Sequence, residues 1–385
     1  MSGVRGSRLV ELWYAPNPRL GQRLLRGALA PASWAFGAAS ALRRRAYAAG
    51  LMRQHRAPFP VVSVGNLTVG GAGKTPVVAE LARRLGARGL KVAILARGYG
   101  GQGRGPRLVS DGRTLCAEAD RVGDEPRLLA ERLPGVAVLV GPRRRVLAER
   151  AAQELGTEVA ILDDGLQHLA LARDLEVVVV DAARRLGNGA LLPRGPLREG
   201  PEALDRAHLL WISKVDEAES EEALEAWVDS LLDGRPCAVV LSRYRPARLL
   251  LRGESAPLEA LAGRRVLALC GIAHPASFVA SLRRIGAEVA GTLAYPDHHR
   301  YRPAEIEAAL AEAAQAGALL VTTEKDAVRL PASARARLAV LGVETEIVAG
   351  GAAVEAALDR LVGRRRPAGK GEAGSPERAG AEGVR

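Results

Sequence analysis

The clearest chemical signal in the sequence is a glycine-rich loop that follows a β-branched run. Residues 61–64 read VVSV, and residues 70–75 read GGAGKT. Successive backbone N–H groups in such a loop can face one anion, the lysine can reach the β and γ phosphates, and the threonine hydroxyl can bind Mg²⁺. The strict P-loop pattern fails at one position, where Thr68 replaces its first glycine. We predict a nucleotide phosphate site made by Thr68, Val69, Gly70, Gly71, Ala72, Gly73, Lys74 and Thr75.

A pair of acids at the end of another apolar run is the second signal. The run VAIL (159–162) leads directly into Asp163 and Asp164. A P-loop enzyme needs an acid near its phosphate loop to hold the metal. We therefore expect one aspartate to hold Mg²⁺, directly or through water, while the other orients a water or supports the acceptor.

Charged residues after other apolar runs are candidates for binding phosphate or a nucleotide base. Arg97 and the three arginines at 143–145 are candidates to bind the substrate's existing phosphate or the migrating one. The stretch ISKVD (212–216) resembles the [NT]-K-x-D loop that reads the base in GTP-binding proteins. Lys214 and Asp216 are therefore candidate base-side residues, and the choice between adenine and guanine stays open.

These motifs must be carried by a sheet of short, continuously apolar strands. Seven such runs between residues 61 and 241 alternate with stretches of helical period. Apolar strands separated by helices indicate a parallel sheet covered on both faces. The predicted fold is α/β, of the P-loop NTPase type, with a mostly parallel sheet and helices on both faces. A second, shorter series of strands from residue 265 onward predicts a smaller α/β unit.

We predict four regions along the chain. Residues 1–56 form an N-terminal membrane-associated helical segment, residues 57–250 a P-loop domain, and residues 251–363 a smaller C-terminal α/β domain. The stretch at 243–263 (RYRPARLLLRGESAPLEALAG) bridges the two series of strands. Residues 364–385 are rich in glycine, proline and charge, which predicts a disordered tail. The three cysteines lack metal-ligand or disulfide spacing, which favours a reducing compartment.

The net charge of +12 is concentrated at the two ends of the chain. Residues 1–56 contain ten arginines and one glutamate, and residues 57–363 are neutral overall. An uncharged stretch at 27–42 (GALAPASWAFGAASAL) lies between arginines, although it is shorter than the ~20 residues that a spanning helix needs. We predict a membrane-associated helix whose arginines meet anionic lipid. The alternatives are a buried soluble helix and a cleaved signal peptide.

A sequence pI of about 10.3 also raises the possibility of a non-catalytic nucleic-acid-binding protein. The neutral middle of the chain and its 3% aromatic content argue against this class, because neither a basic stripe nor a stacking platform is evident. We therefore expect no nucleic-acid partner.

Four motifs in order resemble the tetraacyldisaccharide 4′-kinase family of the lipid A pathway. They are GNLTVGGAGKTP (65–76), GDEP (123–126), DDGLQH (163–168) and GNGALLPRGPLRE (187–199). The resemblance covers residues 10 to 350, and it departs from the family at Ala72, where a hydroxyl residue is frequent. It implies transfer of the γ-phosphate of ATP, with Mg²⁺, to the 4′-hydroxyl of a tetraacylated glucosamine disaccharide 1-phosphate. It also implies a location at the cytoplasmic face of the inner membrane, anchored by the N-terminal helix.

The resemblance also implies roles for individual residues. Asp124 matches the acid that accepts the sugar hydroxyl proton, and His298 matches its partner, with His299 as the alternative. The resemblance assigns residues of this sequence to three roles. Catalysis falls to Lys74, Asp124, Asp164 and His298; metal binding to Thr75, Glu125 and Asp163; and substrate binding to Arg97 and Asn188. From the residues alone, Asp124 and Glu125 are equally well explained as acids at a helix N-terminus.

A P-loop GTPase of the metal-insertion or chaperone type is the alternative function. The SKVD stretch and the deviant phosphate loop favour it. It predicts a metal-handling cluster of cysteines and histidines, which this sequence lacks.

Overall fold

The computed structural model describes residues 12–15, 17–99, 101 and 105–363. The predicted disordered tail at 364–385 therefore lies outside the described residues. Within the described chain, a single sheet of thirteen strands organises the fold. The strands are β1 (Val61–Asn66), β2 (Val92–Ala96), β3 (Arg107–Ser110), β4 (Ala137–Val140), β5 (Val159–Asp163), β6 (Leu175–Asp181), β7 (Leu209–Ser213), β8 (Ala238–Leu251), β9 (Glu254–Ala256), β10 (Arg265–Cys270), β11 (Glu288–Ala294), β12 (Leu319–Thr323) and β13 (Ala339–Ala349).

Helices connect most of these strands. They are α1 (Leu20–Ala28), α2 (Ala30–Ala48), α3 (Lys74–Ala87), α4 (Ala119–Val122), α5 (Asp124–Arg132), α6 (Arg144–Leu155), α7 (Glu221–Leu232), α8 (Pro275–Arg284), α9 (Pro303–Gln315), α10 (Glu324–Ala327), α11 (Ala332–Arg335) and α12 (Gly351–Gly363). Short 3₁₀ turns occur at Pro201–Arg206, Val215–Glu217 and Leu258–Leu261.

The helices cover both faces of the sheet, as the continuous apolar runs predict. Val62 of β1 shares a core with Leu81 of α3, whereas its neighbour Val61 shares another core with Leu147 of α6. Successive side chains of a strand point to opposite faces, so α3 and α6 lie on opposite sides. The predicted α/β class with a mostly parallel sheet is confirmed.

The strand order is β11-β10-β12-β13-β8-β7-β6-β1-β5-β2-β4-β3, with β9 paired to β8. Three pairs are antiparallel, namely β8 with β13, β8 with β9, and β3 with β4, and the other pairs are parallel. The antiparallel pair of β8 and β13 reverses the direction of the sheet. Strands β10 to β12 therefore run opposite to β1, β2 and β4 to β7.

The length of β8 places these two groups of strands end to end. Its first residues, 238–241, pair with β7, and its later residues pair with β13 as far as Leu251. Strand β12 pairs with β13 at Ala339–Leu341, opposite the far end of β8. The carboxyl ends of the two parallel groups consequently face each other across a cleft.

The predicted bridge at 243–263 is largely part of the sheet. Residues 243–251 continue β8, and residues 254–256 form β9. The division of the chain at residue 250 into two domains stays a prediction, since both series of strands belong to one sheet.

The predicted N-terminal apolar helix is divided between α1 and α2. Among the described helices, none combines the length and apolarity that crossing a bilayer requires. Helix α2 is attached to the protein body through Ser33, whose hydroxyl donates to the Leu191 carbonyl at 2.8 Å, and through Arg44, which pairs with Glu199 at 3.3 Å.

Candidate active site

The phosphate loop connects β1 to α3 and ends in a left-handed residue. Gly73 has φ 85°, and a Cβ there would lie 2.5 Å from the Tyr244 hydroxyl and 3.0 Å from Ser213 Oγ. Both the backbone conformation and the available space therefore require glycine. Because Lys74 begins α3, the loop ends at a helix N-terminus, which favours bound anions.

Lys74 is held at the loop by Asn66, the last residue of β1, and by Asp164, which directly follows β5. Its Nζ donates to Asn66 Oδ1 at 3.0 Å and lies 3.3 Å from Asp164 Oδ1. Arg198 approaches the same Asp164 carboxylate with both terminal nitrogens, at 2.9 and 2.7 Å. Burial raises the pKa of Asp164, but the hydrogen bonds and charges of Arg198 and Lys74 outweigh this and lower it. Asp164 is therefore an ionised partner of Lys74.

Asp163, the last residue of β5, is the candidate metal ligand. Asp163 is buried, with 5% of its surface exposed to solvent, and its Oδ1 has no hydrogen-bond partner in the described chain. Burial first, and then the negative charge of Glu125, raise the pKa of this carboxyl. An unpartnered buried carboxylate beside a second acid is suited to a divalent cation. Within the described ranges, no three His, Cys, Asp or Glu side chains form a complete cage, and Mg²⁺ typically needs only one or two carboxylates besides phosphate and water.

Asp124 and His298 meet across the cleft. Asp124 begins α5, which packs on the group of strands that contains β1. His298 follows β11, which belongs to the oppositely directed group. His298 Nδ1 lies 3.0 Å from Asp124 Oδ2. His299 faces elsewhere, with its Nε2 3.0 Å from Glu305 and its ring stacked on Tyr295. The structure thus pairs Asp124 with His298 and not with His299.

Cations surround the Asp124 carboxylate. Burial raises its pKa, but the hydrogen bond to His298 and the charges of Arg329 and Lys325 lower it below the ordinary value. Lys325 Nζ lies 3.3 Å from His298 Nε2 and 4.0 Å from a Glu125 oxygen. The negative charge of Glu125 also acts on Asp163, where it raises the pKa of that carboxyl.

The substrate-binding candidates differ in their surroundings. Arg97 follows β2 and is exposed. Arg144 is buried and donates to the Gly141 carbonyl at 3.0 Å, and burial lowers its pKa to about 10. Asn188 binds its own loop at both ends of its amide, since Nδ2 donates to the Arg194 carbonyl and Oδ1 accepts from the Ala190 N–H.

The candidate base-side residues already have protein partners. Lys214 is buried, and its Nζ donates to Asp181 Oδ2 at 2.5 Å. Asp216 pairs with Arg284 of α8 at 2.7 Å, a contact that joins the two groups of strands. The charges of Lys214 and Asp216 are therefore both neutralised by partners within the protein.

Two residues of the site, Arg198 and Arg329, are not among those that the sequence predicts. Arg198 lies in the stretch at 187–199, and Arg329 lies in TTEKDAVRL (322–330), to which the sequence gives no role. Neither contact has a local signature, because each partner is distant in sequence. Asp164 and His298 also have positive φ, 56° and 61°, a conformation uncommon in residues other than glycine and typical of constrained sites.

The chain is similar to known kinases over most of its length. The profile of the tetraacyldisaccharide-1-P 4′-kinase family matches residues 25–363. A tetraacyldisaccharide 4′-kinase from Anaeromyxobacter dehalogenans (strain 2CP-C) is 52% identical over 360 residues, covering 91% of this chain and 95% of the relative. One from Geobacter metallireducens is 44% identical over 310 residues, covering 80% and 89%.

A solved structure extends this likeness to the fold. The crystal structure of LpxK from Aquifex aeolicus in complex with ATP superposes with a TM-score of 0.69 at 28% identity. The match covers 88% of this chain and 99% of that one. By sequence over nearly its whole length and by fold, the chain belongs to the tetraacyldisaccharide-1-P 4′-kinase family.

Proposed function

We propose that Asp124 is the general base of this enzyme, an ATP-dependent lipid A 4′-kinase. The acceptor is a tetraacylated glucosamine disaccharide 1-phosphate. The observation that supports this most directly is the pairing of Asp124 with His298 at 3.0 Å, across the cleft that the phosphate loop borders. The GTPase alternative is not favoured, because the similar proteins over most of the chain are 4′-kinases.

The phosphate loop supplies positioning and charge. Residues 68–75 bind the β and γ phosphates of ATP through backbone N–H groups, and Lys74 neutralises charge on the transferring phosphoryl group. Asn66 and Asp164 hold the Lys74 ammonium beside the loop. Arg198 fixes Asp164 in turn, so the ammonium is positioned before ATP binds.

The acids on the phosphate side fit a divalent cation. Asp163, Thr75 and Glu125 would hold Mg²⁺, and the unpartnered Oδ1 of Asp163 is the observation that supports this site. When bound, Mg²⁺ neutralises charge on the phosphates and orients them for in-line displacement.

Asp124 then performs the proton transfer. Its carboxylate accepts the proton of the sugar 4′-hydroxyl as that oxygen attacks the γ-phosphorus and ADP leaves with the bond electrons. His298 orients the carboxylate through Nδ1. Arg97 binds an acceptor phosphate with its exposed guanidinium, and Asn188 shapes the acceptor side by holding its loop.

The enzyme acts at the cytoplasmic face of the inner membrane. Helices α1 and α2 expose Leu20, Leu24, Trp34 and Leu42, each 67–73% accessible. Arginines flank these side chains, as in helices that lie in the plane of a membrane surface. This surface would bring the protein to its acylated substrate.

The substitution Asp124→Asn tests the assignment of the base. It keeps the size of the side chain but removes the proton acceptor, so we expect turnover to fall by about 10²–10⁴-fold. Binding of a non-hydrolysable ATP analogue should persist. The measurement is ADP release with and without lipid acceptor. Asp120→Asn, an exposed acid four residues earlier, is the matched control. Near-normal turnover of Asp124→Asn would remove Asp124 as the base.

A further inference from the structure

We propose that Arg329 is a positioning residue for catalysis, a buried guanidinium that fixes the Asp124 carboxylate from the opposite wall of the cleft. This inference rests on the proposed role of Asp124. It also gives a function to the stretch TTEKDAVRL (322–330), to which the sequence assigns none.

The guanidinium of Arg329 is almost completely enclosed. Its side chain is 4% exposed, and its Nε forms an ion pair with Asp124 Oδ2 at 3.2 Å while donating its hydrogen bond to the Lys325 carbonyl at 3.3 Å. The same carboxylate oxygen faces His298 Nδ1 at 3.0 Å. One oxygen of the base thus lies between a guanidinium and an imidazole, which restricts the rotation of the carboxylate.

The remaining nitrogens of Arg329 are bound by the C-terminal part of the chain. Nη1 donates to the His299 carbonyl at 2.8 Å, and Nη2 donates to the Gly271 carbonyl at 3.4 Å. Nη2 also lies 3.2 Å from Asp326 Oδ1. All of these acceptors belong to residues 271–326, so the guanidinium is oriented independently of α5.

Asp326 anchors this arrangement from below the surface. It is 0% exposed and accepts from the Gly271 N–H at 2.9 Å, the Tyr301 hydroxyl at 2.9 Å and the Thr323 hydroxyl at 2.6 Å. A carboxylate satisfied by three donors and a guanidinium cannot rotate without losing several hydrogen bonds. The orientation of Arg329 is therefore fixed.

A role in substrate binding does not fit this geometry. A residue that binds phosphate from solvent must present its nitrogens at a surface, whereas those of Arg329 face protein oxygens. Burying an ion pair costs desolvation and is weak support for a purely stabilising role. The contacts indicate instead that Arg329 holds the Asp124 carboxylate in the orientation that catalysis needs. Misplacing a catalytic group by about 1 Å can lower the rate 10²-fold.

The first experiment compares Arg329→Met with Arg335→Met. Arg335 is the matched control, since it also reaches α5 from the C-terminal region, where its Nη1 lies 3.5 Å from Glu131 at the other end of that helix. We expect Arg329→Met to lower kcat about 10²-fold. The acceptor KM and the affinity for a non-hydrolysable ATP analogue should change less than about twofold, and Arg335→Met should keep its kcat. Equal kcat values for both variants would overturn the proposal.

A double-mutant cycle separates positioning from general support of the structure. If Arg329 acts through Asp124, Arg329→Met should cause no further loss of kcat in the Asp124→Asn background. A further loss of the full size in that background would show a merely structural role. Normal activity of Asp124→Asn alone would instead refute the proposed base, so the two failures are distinguishable.

Arg329→Lys covers the case in which the methionine variant does not fold. Lysine keeps the positive charge but not the planar set of donors, so the contacts to Asp124 and to its anchors cannot all be kept. We expect an intermediate loss of kcat, about tenfold, that again disappears in the Asp124→Asn background. Wild-type kcat in Arg329→Lys would exclude positioning by the guanidinium geometry.

Discussion

At the scale of single residues, the site shows a separation of tasks between two adjacent aspartates. Asp164 is paired with Lys74 and Arg198, whereas Asp163 Oδ1 is buried without a partner in the described chain. Such a group is unfavourable for stability and is retained when function needs it. The orphaned carboxylate is therefore the best place to test the metal assignment.

We predict that Asp163→Asn separates activity from stability. The amide has the same size but no charge, so turnover with Mg²⁺ should fall by at least about 10²-fold while the thermal midpoint stays or rises. Asp174→Asn is the control, because Asp174 accepts from the Val61 N–H at 2.9 Å at the other end of β1. That variant should lose about 1 kcal/mol of stability and keep its activity. A marked loss of stability in Asp163→Asn would count against a metal role.

Much of this residue-scale chemistry is readable from the sequence, but its pairings are not. Lys74 can be predicted because it follows a glycine-rich loop, and Asp163 can be predicted because it ends an apolar strand. Arg329 has no such signal, because it lies in a turn after α10, where an arginine is usually solvated. Its function depends on Asp124, which belongs to a distant helix and reaches it only through the folded sheet.

At the scale of elements, β8 is where sequence patterns mislead. The apolar run ends at Leu241, and the alternating arginines and Pro246 that follow suggest a linker. In the structure Pro246 pairs opposite Val343, where the register of β8 and β13 shifts. Proline is tolerated at such an irregularity because the missing N–H is not needed by the ladder. The alternation reflects a strand with two differently exposed faces.

Helix α12 gives an element-scale prediction about what holds the phosphate-loop helix in place. Leu358 of α12 is fully buried in the core that includes α3, and Glu355 pairs on the surface with Arg84 of α3 and with Arg88, which directly follows that helix. We expect Leu358→Ala to lower the free energy of unfolding by about 3 kcal/mol and Glu355→Ala by less than about 1 kcal/mol. Urea denaturation measures both, and the reverse order would mean that the ion pairs dominate.

At the scale of the whole molecule, the N-terminal part of the chain combines an excess of positive charge with exposed apolar side chains. The loop at 187–199 connects this end to the site, because Leu191 accepts from Ser33 of α2 while the Pro196 carbonyl accepts from the Val69 N–H of the phosphate loop. Composition predicted the basic N-terminus. It could not predict this connection, which depends on the path of a loop between distant elements.

The exposed apolar side chains of α1 and α2 provide a test of membrane binding. Replacing Leu20, Leu24, Trp34 and Leu42 with glutamine should abolish sedimentation with anionic vesicles, because it removes the apolar contact and leaves only salt-sensitive attraction of the arginines. These side chains are exposed, so turnover with detergent-dispersed acceptor should stay within about twofold. The control is the pair Leu115→Gln and Val348→Gln, which are exposed apolar residues elsewhere on the protein. Undiminished sedimentation of the fourfold variant would place the membrane contact on another surface.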